Sequence, residues 1–127
     1  MNEKLWDPIR QAGVAATPEE RVRQAFIHFL VQKGCPWSAI QVEYSVPRGG
    51  RFDVAVCAPD GSLWLLAECK AETSAKEKLW GTAWAQLRRY ARYVGWPKYF
   101  AIVIGAQIWC WQARDSMLLE EFPAYPK

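Results

Sequence analysis

The run from Arg51 to Lys70 limits what this chain can fold into more than any other stretch. Two apolar segments, Arg51-Phe52-Asp53-Val54-Ala55-Val56-Cys57 and Ser62-Leu63-Trp64-Leu65-Leu66-Ala67-Glu68-Cys69-Lys70, flank Pro59-Asp60-Gly61. The proline fixes φ, the aspartate offers the turn a side-chain acceptor and the glycine tolerates positive φ, so the two segments predict an antiparallel hairpin. Side chains alternate along a strand, which puts Leu66, Glu68 and Lys70 on one face and Leu65, Ala67 and Cys69 on the other. Asp53, near the start of the first strand, comes opposite the end of the second, so closing the hairpin gathers Asp53, Glu68 and Lys70. Such a cluster is either a surface ion pair worth about 0–1 kcal/mol or a site with a reason to hold charge. The nearly continuous apolar run from Ser62 to Cys69 argues for a strand covered on both faces, which favours a site. Carboxylates at the end of such a strand, with a lysine two residues on, suit a hard divalent cation such as Mg²⁺.

With 127 residues, 51% of them hydrophobic, the chain has enough material for one core, and a single domain over 1–127 is expected. It contains no apolar run of the ~18 residues that a membrane span requires. Met1-Asn2-Glu3-Lys4 does not open a signal peptide, so a cytoplasmic protein with no membrane association is expected. Cys35, Cys57, Cys69 and Cys110 lack Cys-x-x-Cys spacing and are read as buried thiols. The net charge of +3 permits a polyanionic partner without demanding one.

Lys4 to Ala16 forms a lead-in with Trp6 and Ile9 as anchors. Thr17-Pro18-Glu19-Glu20 is a helix start: threonine at the cap, proline at the first helical position and Glu20 completing a capping box. The helix extends to about Gln32 with Val22, Phe26, Phe29 and Leu30 as its apolar stripe. Glu19 lies on that stripe one turn before Val22, so Glu19 is expected either to face the packing surface or only to stabilise the helix dipole in the first turn, while Glu20 serves the cap. The lone His28 beside the stripe is expected to be packed rather than catalytic. Ile40, Val42, Tyr44 and Val46 alternate with polar residues and predict a half-buried strand on one face, turned by Pro47-Arg48-Gly49-Gly50 into the Arg51 strand. Thr73 and Ser74 offer a cap for a second helix reaching Val94, closed by Gly95-Trp96-Pro97. Its inner stripe is Leu79, Ala83, Gln86, Leu87, Tyr90 and Val94. An amide on such a stripe requires a polar target, which singles out Gln86. Arg88, Arg89 and Arg92 either form a solvated face or contact phosphates. Two further strands, from Tyr99 to Ile104 and from Ile108 to Gln112, follow around Gly105-Ala106-Gln107.

The order helix, three strands, helix, strand, strand, with Asp53, Glu68-Cys69-Lys70, Thr-Pro-Glu-Glu-x-Val-Arg-Gln before them and Gln86-x-x-x-Tyr90 after them, resembles the PD-(D/E)xK nuclease superfamily. It is similar in particular to the N-terminal nuclease region of type I restriction enzyme motor subunits, over roughly Asp7 to Gln112. The resemblance implies an α/β (α+β) fold with an αβββαβ restriction-endonuclease-like core, a mixed central sheet flanked by helices, and an extra C-terminal strand. It also implies a Mg²⁺- or Mn²⁺-dependent endonuclease acting on nucleic acid, with DNA as the expected substrate. The implied roles are metal binding for Asp53, Glu68, the Cys69 carbonyl and Glu19, water activation for Lys70, and a bordering position for Gln86, Tyr90 and Arg89. Phe52 stands before the aspartate where the motif name has proline. No Gly-x-x-x-x-Gly-Lys-Ser/Thr loop occurs, so this stretch carries no ATP motor.

Two rival readings remain beside catalysis: a non-cleaving module that keeps the fold to bind nucleic acid or protein, and a structural domain whose tryptophans serve an oligomer. Trp80 and Trp84, one turn apart beside the inner stripe, are candidate contacts for a homodimer or a larger restriction or defence complex. Packing on the lead-in around Trp6 is the alternative for both.

Overall fold

A computed structural model describes residues 3–45, 50–72 and 76–127, with the side chains of 76, 90, 93 and 94 left undescribed. The chain runs β1 (Lys4–Asp7), β2 (Ala12–Ala15), α1 (Pro18–Gln32), β3 (Ile40–Ser45), β4 (Arg51–Cys57), β5 (Leu63–Lys70), α2 (Lys76–Val94), β6 (Tyr99–Ile104) and β7 (Gln107–Gln112). Five strands form one sheet in the order β3-β4-β5-β6-β7, while β1 and β2 pair separately. The meander β3-β4-β5 is antiparallel, β6 runs parallel to β5 after the α2 crossover, and β7 returns antiparallel. This is the expected mixed sheet with its extra C-terminal strand.

β5 occupies the middle, as its apolar run requires. On one side Leu65, Ala67 and Cys69 meet Phe26, Ile27 and Leu30 of α1. On the other, Leu66 meets Ala83, Leu87 and Ala91 of α2. The β4–β5 turn has the predicted chemistry: Asp60 Oδ1 accepts from the Ser62 N–H at 2.9 Å, and Gly61 adopts φ +87°.

Strict alternation fails in β3. Val42 packs on the α1 side but Tyr44 packs on the α2 side, because Glu43 between them has φ +51° and turns the pleat over. Its facing strand does likewise, with Val54 on the α1 side and Phe52 on the α2 side. Asp53 lies at that reversal, so its carboxylate is not bound to either face of the sheet.

The lead-in is a hairpin whose anchor differs from the expected one. Trp6 is 65% exposed whereas Asp7 is completely buried, and Ile9 packs as anticipated. Trp80 and Trp84 do not rest on Trp6: they stack on each other at 5.8 Å and meet Trp111 of β7 at 5.1 and 5.0 Å. The C-terminal tail also joins the core. Phe122 packs edge-on to Phe26 and Phe29, and the Tyr125 hydroxyl donates to the Cys57 carbonyl at 2.7 Å. All four cysteines are free, as expected. His28 is exposed and edge-on to Trp37. The expected turn 47–49 and the cap at 73–74 lie outside the described residues.

Candidate active site

β4 and β5 part company where the acidic residues sit. Their register runs from Cys57↔Leu63 to Val54↔Ala67 and does not continue to Asp53. Two side chains take over from the backbone at this fork. Asp53 Oδ2 accepts from the Cys69 N–H at 2.8 Å, and Glu68 Oε1 receives the Asp53 N–H in a longer contact of 3.4 Å. Each carboxylate is thus fixed by the backbone beside the other, which sets their separation without help from a ligand.

Glu68 is 1% exposed. Burial, then the Asp53 charge and its hydrogen bond, push the Glu68 carboxyl well above the usual carboxylate range, while Lys70 pulls it back. Lys70 Nζ stands 4.0 Å from Glu68 Oε2 and keeps partial exposure. Asp53, Glu68 and Lys70 are therefore brought together as the hairpin predicted. Gln86 finds its polar target in the Arg51 carbonyl, 3.5 Å from Nε2, at the start of β4. Arg89 is exposed and lines an open groove on α2 with Gln86, Thr82 and Lys78. The Tyr90 side chain lies outside the described residues.

The first helix presents the other glutamate. Glu20, not Glu19, is buried, at 6% exposure, and Glu19 is exposed. Thr17 Oγ1 accepts from the Glu20 N–H at 3.1 Å, so half of the capping box forms. The other half is absent, because the Glu20 carboxylate has stronger partners and the Thr17 N–H goes to the Ala15 carbonyl instead. Glu20 Oε1 takes Arg10 Nη2 at 2.7 Å and Arg23 Nη2 at 3.0 Å; Oε2 takes Arg23 Nε and Gln24 Nε2, each at 3.1 Å. Burial raises the Glu20 carboxyl, but the bonds from Arg23, Arg10 and Gln24 outweigh it and leave it below its ordinary value. The apolar stripe packs as expected, with Phe26 and Leu30 buried and Val22 and Phe29 against them, but its extension to Glu19 fails: Glu20 turns inward instead, since charged groups that satisfy one another pack as well as apolar ones.

Arg23 links this network to the fork. Its Nη1 lies 3.7 Å from Asp53 Oδ1 and 3.5 Å from the Asp53 carbonyl, while Nη2 lies 3.7 Å from Glu43 Oε1. Arg10 comes from the β1–β2 turn, where the buried Asp7 holds its Nε. Glu19 does not join the fork by contact, although its charge adds to the field that raises the buried Cys69 thiol after desolvation, Asp53 and Glu68. Among the described residues no group of three His, Cys, Asp or Glu side chains is gathered for a metal ion. The donor set on hand is Asp53 and Glu68. Two carboxylates fit Mg²⁺ or Mn²⁺, which commonly take one or two and complete their shell with phosphate and water. The two nearby cations stand off from these acids, Lys70 at 4.0 Å from Glu68 and Arg23 at 3.7 Å from Asp53.

The family described as "Type I restriction enzyme R protein N terminus" matches residues 18–126. The chain belongs to this family. No curated protein and no solved structure matches it. The matched segment holds Asp53, Glu68, Lys70, Gln86 and the Glu20–Arg23–Gln24 group, while the β1–β2 hairpin that supplies Arg10 precedes it. Glu20, Arg23 and Arg10 are the site's neighbours that sequence reasoning missed. Arg23 and Gln24 were visible as Val-Arg-Gln in the family motif, but a side chain on a helix gives no sign of reaching a strand 30 residues on. No membrane-length apolar helix occurs among the described residues.

Proposed function

We infer that this domain is a metal-dependent nuclease of the PD-(D/E)xK kind, hydrolysing phosphodiester bonds of DNA within a restriction assembly. The observation that carries the reading is the fork: two acids, one of them buried, clasped across the parting strands with a lysine 4.0 Å from the inner one. Membership in a restriction-enzyme family supports the substrate class. Asp53, Glu68 and the Cys69 carbonyl would hold Mg²⁺ or Mn²⁺, with Glu19 acting through solvent. Bound there, the ion supplies a polarised phosphate and a water of lowered pKa. Lys70 orients the attacking water by hydrogen bonding and offsets negative charge as the phosphorus–oxygen bond to the leaving group breaks. Gln86, its amide anchored on the Arg51 carbonyl, borders the substrate path along α2, and Arg89 on the same face offers a cation to the phosphate chain.

A second reading, a binder that does not cut, draws on one observation: Arg23 already stands 3.7 Å from Asp53, so the acids are partly ion-paired within the chain. Cleavage assays with plasmid, linear, branched and single-stranded substrates in Mg²⁺ or Mn²⁺, paired with calorimetric Mn²⁺ titration, separate the two. The nuclease reading expects metal binding and cleavage, both lost in Asp53→Asn and Glu68→Gln. Nucleic-acid binding with neither metal uptake nor cleavage would establish the binder.

A further inference from the structure

Arg23 is 11% exposed and faces three carboxylates at unequal distances. Glu20 holds it through two short bonds, Nη2 to Oε1 at 3.0 Å and Nε to Oε2 at 3.1 Å. Asp53 and Glu43 hold it only loosely, each at 3.7 Å. A buried cation that gives up one acid is normally stranded at high cost. Arg23 is not, because Glu20 keeps a paired seat for it. That seat is itself fixed from the far side by Arg10, at 2.7 Å from Glu20 Oε1, and Arg10 is fixed by the buried Asp7 of the β1–β2 hairpin.

We propose that Arg23 is a positioning residue that stands in for the divalent cation on Asp53, holding that carboxylate in place without metal and yielding it, onto Glu20, when metal binds. The proposal rests on the nuclease reading of the fork. Three features support it. Arg23 is the guanidinium recorded in an ion pair with Asp53 among the described residues. It also bonds to the Asp53 carbonyl, so it fixes the backbone at the strand reversal as well as the side chain. Its grip on Asp53 is longer than its grip on Glu20, the ordering needed for exchange. A positive charge so near Asp53 opposes a second cation on the same carboxylate, and the opposition is strong in a partly buried setting. The site therefore binds metal more weakly than its two acids alone would, and in return Asp53 is ordered beforehand.

The test joins calorimetry and NMR. Arg23→Gln removes the competing charge while keeping a hydrogen-bonding side chain, so Mn²⁺ should bind roughly tenfold more tightly. Without metal, the Asp53 amide resonance should shift in this variant, because Asp53 has lost its guide. Arg23→Lys retains the charge and should return Mn²⁺ affinity to near that of the wild type. A merely structural arginine predicts the opposite for Arg23→Gln: affinity and melting temperature falling together. Should Arg23→Gln fail to fold, the wild type still decides the matter. The Arg23 Nε–H resonance should shift with Mg²⁺ along the calorimetric isotherm, since the guanidinium exchanges Asp53 for Glu20 alone. Metal binding with this resonance unmoved, or with unchanged or weaker affinity in a folded Arg23→Gln, overturns the proposal and leaves the nuclease reading standing. A wild type that takes up no Mn²⁺ removes both.

Discussion

Glu20→Ala is the perturbation on which the reading of the first helix turns. The cap contact survives it, because Thr17 Oγ1 bonds the Glu20 backbone N–H and not its side chain. What disappears is a carboxylate at 6% exposure that pairs two arginines and an amide. Arg10 keeps Asp7, but Arg23 is left with partners no nearer than 3.5 Å. Breaking a buried ion pair from one side costs about 3–5 kcal/mol, against about 0.5–2 for a lost cap. Against a total of roughly 5–15 kcal/mol, that is a large share of the stability. Urea unfolding should show it as a midpoint lowered by roughly 2 M with the slope unchanged. Exposed Glu19 should change stability by no more than about 0.5 kcal/mol when replaced by alanine. The pH dependence follows from the sign of the shift: the folded-state pKa of Glu20 lies below its ordinary value of 4.5, so its contribution is complete above that pH. It fades as pH falls through the folded value, and the gap between wild type and Glu20→Ala should close in acid. A Glu20→Ala loss under about 1 kcal/mol, or an equal loss from Glu19→Ala, would return Glu20 to a capping role and undo the argument.

Glu68→Gln should leave the metal-free protein as stable as the wild type or more so near neutral pH, and abolish Mn²⁺ uptake. Its folded-state pKa is raised, so the wild-type acid loses stability as pH rises above the ordinary value of 4.5, and a pH series of melting temperatures should show that slope flattened in the variant. Gly105 donates its N–H to the Lys70 carbonyl at 3.0 Å with φ +59°, and a Cβ there runs into the Glu72 side chain. Gly105→Ala should therefore cost about 1–2 kcal/mol or more and disturb Lys70, measurable by unfolding and by cleavage together. Trp84→Ala removes contacts to Trp111 and Phe100 and should destabilise the chain by roughly 3 kcal/mol without altering its sedimentation coefficient. A smaller coefficient in the variant would instead place the half-buried indoles at a contact with a second copy.

The sequence alone determined those parts of the molecule that depend on local pattern. Pro59-Asp60-Gly61 specifies the hairpin turn, period-two alternation puts Glu68 and Lys70 on one face of β5, and the apolar run predicts the two-sided cover that the core provides. Thr17-Pro18 sets the start of α1 and Gln86 announces a polar target, because caps and misplaced amides answer to chemistry within a turn or two. Tertiary structure decided everything that depends on a partner distant in sequence. Which glutamate of α1 turns inward was settled by Arg10, on a hairpin outside the helix, and by Arg23 reaching across to β4; periodicity counts apolar positions and cannot see that a satisfied acid packs like one. Tyr44 changed faces because of a single positive φ at Glu43, which no alternation rule anticipates. Trp80 and Trp84 found Trp111 because the α2 crossover carries them over the sheet toward β7, a consequence of strand order and not of any spacing within the helix.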